Sequence, residues 1–344
     1  MCTEIDLVSE EQNELYEHYA FIVDKGQSPI RIDKYVTDKI EGATRNRIQN
    51  AAGAGWILVN DRAKKSNYKV KPLDKISIVM PFERRGVEII PENNPLDILY
   101  EDDDLLVINK PSGMVVHPGH GNYSGTMVNA LAYHLRGSEN IDLENERAGL
   151  IVHRIDKDTS GTIVAAKNLE THKDLAQQFF NRTVERLYYA LVWGQFEQSE
   201  GTIIGNIARC PNDRLRFKVF DDESIGKHAV THYKIIENLG YVSLVQCKLE
   251  TGRTHQIRVH MNHIGHPLFN DERYDGNRIL RGTTFAKYKQ FIDNCFELVP
   301  HHFLHAALLG FVHPRTKKQM LFEVEMPKNM QMLLDKWRKY IAER

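Results

Sequence analysis

The sequence predicts an α+β protein in two parts, a small basic module followed by a larger body of mixed strands and helices. Three observations carry that expectation. The chain has 344 residues, 42% hydrophobic and 26% charged, which is enough for two domains or more of ordinary globular composition. Apolar residues recur at helical spacing in some stretches and alternate every second residue in others, so neither period governs the whole chain. The net charge is −1, yet residues 31–77 hold 11 Lys/Arg against 5 Asp/Glu, which leaves the remainder acidic. A basic stretch on a neutral-to-acidic body points to one module facing nucleic acid.

Residues 1–17 read as an acidic tail, without the basic start and apolar core of a signal peptide. Tyr19 to Val23 is a short strand before the Lys25-Gly26 break. Ile32, Tyr35, Val36 and Ile40 then share one helical face. Thr44 can cap a second helix with Ile48, Ala51 and Ala52 inward, ended by Gly53 and Gly55. Trp56 to Val59, a turn at Asn60-Asp61, and Ile76 to Met80 read as strand, turn, strand. Arg45 and Arg47 fall in the first turn of a helix, where the macrodipole gives positive charge no favourable term. They are oddly placed for stability, and contact with phosphate would explain them; a solvated basic face is the alternative. The Pro-containing, charged stretch 81–95 reads as a linker.

The body begins with strands at Leu96 to Tyr100 and Leu105 to Ile108, then a tight turn by composition from Asn109 to Gly113. Thr126 to Leu135 is a helix. Leu150 to Gly161 starts apolar through Val152, turns polar, and leads into a second apolar run, Thr162 to Ala166. Asp156 sits in that polar loop between Arg154 and Lys157, and nearby positive charge favours the ionised form. A carboxylate delivered there by a buried element is a candidate nucleophile or general base; a charged surface turn is the plainer reading. Leu169 to Asn181 is helical, with Leu175, Phe179 and Phe180 expected inward. From Val184 to Val192 residues alternate, placing Arg186 and Tyr188 beside Val and Ala. A core tyrosine with a satisfied hydroxyl is the default for Tyr188. A strand, Tyr241 to Leu249, feeds a turn at Thr251-Gly252 and a helix that Thr254 can cap, with Gln256 and His260 on one face. His255 and His260 are five apart rather than four and no Glu follows the first, so they are expected to pair with neighbouring polar groups rather than a metal. Residues 275–302 look like an insertion with a helix from Phe285 to Phe296, carrying Lys287 and Lys289. Strands at Leu308 to Val312 and Gln319 to Met326 follow. Pro327 opens a last helix whose Leu333, Leu334, Trp337, Tyr340 and Ile341 form one face. Cys2, Cys210, Cys247 and Cys295 are far apart and show no zinc spacing, which suggests free thiols in a reducing cytoplasm. No apolar run approaches the roughly 18 residues that span a bilayer.

Several strings carry a resemblance. Arg31-x-Asp33-Lys34-Tyr35, Thr44-Arg45-Asn46-Arg47 and Gly55-Trp56-Ile57-Leu58-Val59-Asn60 resemble the S4 RNA-binding domain. His153-Arg154-x-Asp156-x-x-Thr159-Ser160-Gly161 resembles the catalytic motif of the RluA-type pseudouridine synthases. The Asn109-Lys110-Pro111 to His117-Pro118 string, the Arg182 to Val192 strand, and Thr251-Gly252-Arg253-Thr254-His255-Gln256-Ile257-Arg258 resemble further motifs of that family, in the family's order. The family usually has Lys at the position of Arg186 and Gly-Asp where Asn270-Asp271 stand; Asn tolerates a left-handed backbone, so that turn can survive.

The resemblance implies a largely antiparallel mixed sheet, the pseudouridine synthase fold, over 96–344, behind a small S4-like α/β RNA-binding domain over 18–80. It implies isomerisation of uridine to pseudouridine in RNA, large-subunit ribosomal RNA by the kind of S4 module. No cofactor is implied, and the chain has no Walker loop, Gly-x-Gly-x-x-Gly loop or metal cluster in its sequence. The target base must leave the stack to be reached. Asp156 would act as nucleophile or stabiliser of the departing sugar cation. Arg258 would pair with it, best bidentately, and Tyr188 would stack on the uracil and assist proton removal from C5. Arg154 would fill the vacated space, and Arg31, Arg45, Arg47, Lys64 and Lys65 would contact RNA. The first motif is architectural and is assigned no chemistry. The protein is expected to be a cytoplasmic monomer with RNA as its partner and no membrane. Two other readings are a catalytically silent RNA-binding or ribosome-assembly factor and a metal-dependent RNA hydrolase.

Overall fold

The computed structural model describes residues 16–40, 43–80, 89–118, 122–136, 151–211, 213, 215–222 and 224–343. Most of the expected tail and linker, Cys2 and Leu150 lie outside them. The chain divides into two compact units, Met1–Gly86 and Val87–Arg344, each taken by itself.

The first unit contains β1 (Tyr16–Ile22), α1 (Ile32–Lys39), α2 (Arg45–Gly53), β2 (Ile57–Val59), β3 (Arg62–Ala63) and β4 (Lys75–Met80). Its antiparallel sheet runs β1-β4-β2-β3, and the apolar faces of both helices close on it through Ile32, Val36, Ile48, Ile57 and Ile76. The Thr44 side chain caps α2 as expected, accepting from the Arg47 backbone N–H. Asn60 and Asp61 both take positive φ, 50° and 61°, the mirror-image turn that joins hairpin strands. The sequence reading missed β3, which is two exposed residues long.

Arg45 needs a different account from the one expected. Its Nε donates to Asp33 Oδ2 at 3.1 Å, while Arg31 grips both Asp33 oxygens and Gln49 adds another bond. Asp33 is buried; burial opposes its charge, but Arg31, Gln49 and Arg45 hold it far below the usual carboxylate range. Arg45 therefore sits at a helix start because a buried carboxylate neutralises it, so its position does not require phosphate. Arg47 is exposed and makes no such pair among the described residues.

The second unit contains β5 (Ile98–Glu101), β6 (Leu105–Lys110), α3 (Met127–His134), β7 (Ser160–Ala166), α4 (Leu169–Phe180), β8 (Glu185–Trp193), β9 (Glu200–Arg209), β10 (Phe217–Phe220), β11 (Lys227–Asn238), β12 (Val242–Leu249), α5 (Gln256–His263), α6 (Ala286–Leu298), β13 (Leu304–Val312), β14 (Gln319–Glu323) and α7 (Lys328–Ala342). Its strands form one sheet in the order β10-β9-β11-β12-β8-β13-β7-β6-β5, with β14 paired to β13. Every pairing is antiparallel except β13 with β7. This is the largely antiparallel mixed sheet expected. The stretch read as an insertion is a wall of the core: Tyr288, Ile292 and Cys295 of α6 pack with Leu333, Leu334 and Trp337 of α7.

Four local expectations fail, each for a physical reason. No strand forms at 151–152; Ile151 makes one bridge to Ala165, and the polar loop instead feeds directly into β7, buried along its length. Strands β9 to β11 were not anticipated, because their exposure is irregular and shows no clean alternation. Phe180 is 81% exposed rather than inward. Leu175 and Phe179 share a helical face at i, i+4, whereas i+5 turns Phe180 well off it. Thr254 does not cap α5; the N-cap is His255, left-handed at φ 56°, without a side-chain capping bond. Gln256 Oε1 instead accepts from the Arg253 N–H and from Thr251 Oγ1.

Candidate active site

Three pieces of backbone converge on Asp156. The first is its own turn, closed by the Thr159 N–H donating to the Asp156 carbonyl. It runs straight into β7, whose Gly161 carries φ 114° where the Ala306 backbone of β13 comes close. A Cβ at Gly161 would lie 2.1 Å from Ala306 O, so only glycine lets the two strands meet.

The second piece is the turn after β6. Lys110 is 0% exposed, and its ammonium donates to the carbonyls of Pro111, Met114 and Lys157 at 2.8, 2.9 and 2.8 Å. Burial pulls Lys110 down to about 7, with Asp158 and Asp156 acting in the opposite direction. The three carbonyls also favour the ammonium, and we take it as charged at neutral pH. The Gly113 N–H donates to the Lys157 carbonyl and Ser112 Oγ to the Asp158 carbonyl, while Ser112 also bonds His301. The architectural motif thus acts as a clamp on the loop that presents Asp156.

The third piece is α5. Arg258 Nη1 donates to Asp156 Oδ2 at 2.8 Å, a single bond. The bidentate grip expected for Asp156 goes elsewhere: Nε and Nη2 donate to Asp271 at 2.7 and 2.8 Å. Asp271 is 1% exposed and also accepts the N–H groups of Arg273 and Tyr274. Asp271 locks the guanidinium plane, leaving one N–H aimed at Asp156. The turn that presents Asp271 survives as expected, with Asn270 at φ 59° and its amide donating to the Val299 and Phe296 carbonyls.

Asp156 is thereby held charged. Burial opposes the charge, but His255, Arg258 and His302, the two histidines only where acid protonates them, outweigh it and keep the carboxyl below its ordinary value. Burial pushes His255 and His302 themselves down to about 4, so both are neutral near pH 7 and Arg258 is the permanent cation. The flanking Arg154 and Lys157, credited from sequence, are exposed. His255 bonds Tyr274 and His302 bonds Thr159, while His260 bonds Thr231, as expected of histidines paired with polar neighbours.

Asp156, Tyr188, Arg258 and Arg154 line one cleft of about 550 Å³. Tyr188 comes from β8 and is 8% exposed; its hydroxyl has no hydrogen-bond partner among the described residues. Burial raises the phenol's pKa, Arg186 opposes this, and Asp156 adds to it. A core tyrosine with a satisfied hydroxyl does not fit that placement. Arg31, Arg45, Arg47, Lys64 and Lys65 belong to the first unit, where the Lys64 ammonium lies over the Tyr68 ring, 5.4 Å from its centroid. Among the described residues, the cluster with metal-ligand spacing is Asp102, Asp104 and His313, none of which lines this cleft. Its groups already bond Tyr100, Asn168, Arg315 and backbone N–H groups.

The family model described as RNA pseudouridylate synthase matches residues 104–263, which contain Asp156, Tyr188 and Arg258. An RNA pseudouridine synthase of Chlorobaculum parvum, itself uncharacterised, is 46% identical over 92% of this chain and 96% of its own. The chain belongs to the RNA pseudouridine synthase family. The ribosomal large subunit pseudouridine synthase D of Zymomonas mobilis is 40% identical, over 88% of this chain and 92% of its own. The solved human RNA pseudouridylate synthase domain containing 1 aligns with a TM-score of 0.50 and 26% identity, over 72% of this chain and 87% of that one. As a member of the family, this synthase converts uridine to pseudouridine in RNA. Sequence reasoning did not find Asp271, His302 or Lys110 as parts of the site. The left-handed Asn270 was the one signal near Asp271, and it was read only as a turn.

Proposed function

We propose that this synthase acts on large-subunit ribosomal RNA, with Asp156, Arg258 and Tyr188 as its working residues. The observation that carries the site is the charged Asp156 under a single N–H of a guanidinium locked by Asp271. In the isomerisation the C1′–N1 bond breaks, the uracil turns, and the C1′–C5 bond forms. The C5 proton leaves and N1 ends protonated, so atoms and electrons balance without a donor. Asp156 supplies the negative charge that attacks, or that steadies the sugar cation. Arg258 keeps that charge ionised and aimed. Tyr188 offers a ring for the uracil and an unbonded hydroxyl that releases its own proton to solvent as it takes the one from C5, while N1 takes a proton from solvent. Arg154, exposed at the cleft, fills the place of the extruded base.

The ribosomal target is supported by relatives named ribosomal large subunit pseudouridine synthase D, three of them 37–40% identical. The first unit serves as an S4-like RNA-binding module through Arg31, Arg45, Arg47, Lys64 and Lys65, supported by its basic charge. A cytoplasmic monomer fits this work, and among the described residues no helix is long and apolar enough to cross a membrane. Asp156→Asn tests the site: pseudouridine formation should vanish while RNA affinity stays near wild type. More than trace turnover removes Asp156 from the role. Mapping pseudouridine in total RNA from cells lacking the protein tests the target, and unchanged ribosomal RNA would refute it.

A further inference from the structure

One rim of the cleft is more basic and more aromatic than holding a uracil requires. Phe180 ends α4, lines the cleft and is 81% exposed, whereas its neighbour Phe179 turns in to stack on His153 at 4.5 Å. Two residues on, Arg182 is exposed at the same rim. Across from it, in the loop before α5, Arg253 is anchored by its Nε donating to the His228 carbonyl at 3.0 Å. Burial lowers the pKa of Arg253 and the charge of Arg182 lowers it further, and neither arginine has a carboxylate partner among the described residues. Glu250, a carboxylate of the same lining, is already bonded to His232. Behind them Arg186 is 8% exposed, and its Nε has no partner among the described residues. Gly252 leaves room for it: a Cβ there would come within 2.9 Å of Arg186 Nη1. A buried cation without an anion is costly, and two facing guanidiniums repel, so the arrangement calls for a negative group between them.

We propose that these residues form a subsite for the nucleotide adjoining the target uridine, Phe180 stacking its base while Arg182, Arg253 and Arg186 hold the phosphodiester joining the two. Every base offers a π face and every link a phosphate, so the subsite grips single-stranded RNA without reading its sequence. The fit is to an unpaired neighbour, because a base in a duplex has no free face for Phe180. The proposal rests on assigning the cleft to the target uridine.

The test uses the full-length protein and a stem–loop cut from the mapped ribosomal target. Two altered versions are made for each side of the uridine, one abasic at the neighbour and one with an uncharged methylphosphonate link. Single-turnover conversion is followed against enzyme concentration. Phe180→Ala should raise the half-saturating concentration roughly 5- to 150-fold on the intact RNA, the range for losing one aromatic platform. It should cost nothing further on the abasic version of one side. Arg182→Ala should weaken binding and lower the salt slope by about 0.7, the loss of one single-strand phosphate contact. That change should disappear on the methylphosphonate RNA. Lys173→Ala removes an equal charge from α4 outside the cleft and should match wild type. Phe180→Ala behaving as wild type, or losing equally on all RNAs, overturns the stacking role. Arg182→Ala and Lys173→Ala behaving alike overturns the phosphate role. If Asp156→Asn still converts the RNA, the site assignment falls and the subsite falls with it; if Asp156→Asn is inactive, failure of the rim variants counts against the subsite alone.

Discussion

Replacing Asp271 by Asn tests the lock on Arg258 with a change of one atom. Oδ1 accepts from Arg258 Nη2, the Arg273 N–H and the Tyr274 N–H, and Asn can keep that oxygen in place. The new amide then stands where Oδ2 accepted Arg258 Nε at 2.7 Å, so a donor faces a donor. Flipping the amide only moves the conflict to the other three N–H groups. Removing one partner of a buried ion pair costs about 3–5 kcal/mol. Arg258 retains Asp156, so the lower end, about 3 kcal/mol, is expected. For a unit of this size that is roughly 6–12 °C in Tm. The freed guanidinium no longer aims at Asp156, and a misplacement of about 1 Å can cost roughly 100-fold in rate. Differential scanning calorimetry and single-turnover conversion on one preparation read both, well below the variant's Tm. RNA affinity should barely move. A variant that melts earlier yet turns over within twofold of wild type would sink the argument that Asp271 works through Arg258.

Tyr188→Phe should lower turnover by about 10²–10⁴-fold with little change in melting, since no hydrogen bond is lost; near-normal single-turnover rates would remove the hydroxyl from proton transfer. Arg45→Glu should destabilise the first unit by about 1–3 kcal/mol by setting a carboxylate against buried Asp33, whereas Arg47→Glu should spare the fold and weaken RNA binding, with hydrogen exchange and filter binding telling them apart. His255, His260 and His302, ordinarily near 6.5, are each pushed down to about 4 by burial. The unfolded chain therefore binds protons between pH 6.5 and 4 that the folded chain refuses, so stability is full above that window and falls as pH drops through it. Urea midpoints that stay level from pH 7 to 5 would contradict that account. Gly161→Ala should cost more than about 4 kcal/mol, since its Cβ would strike the Ala306 backbone, and a soluble, active variant would show that the strands can part.

The reacting groups were legible because each lies in a short string that resembles a motif of the family; from residue types alone only Asp156 was a candidate, and Tyr188 read as an ordinary core tyrosine. Asp156, Tyr188 and Arg258 were all named from sequence, and the structure brings them to one cleft. Their supports were not legible. Asp271 and His302 matter through burial beside groups far away in the chain, and local pattern says nothing about that. The reason first given for the charge on Asp156 was its neighbours in sequence, yet the cation that holds it is Arg258, 102 positions on. The reason given for the position of Arg45 fell short in the same way, since a local rule about helix ends could not see a buried Asp33. Helices with a clean apolar period were read well, and Phe180 was misplaced where two aromatics stood side by side. Strands β9 to β11 escaped because their many half-exposed positions blur the alternation that marks a strand.

The place of β13 bears on how the enzyme comes into being. Strands β7 and β8 follow one another through α4, yet β13 lies between them in the sheet and is made more than a hundred residues later. A nascent chain that has emerged only as far as α6 holds both flanks of the site with an open slot in the middle. Neither the hydrogen bond from Ser160 to His305 nor the Gly161–Ala306 approach can form until that slot is filled. Pairing over such sequence distances is slow, because loop closure comes before any reward. The last strands therefore act as a keystone, and the loop bearing Asp156 gains its final support only when synthesis of the body is nearly finished.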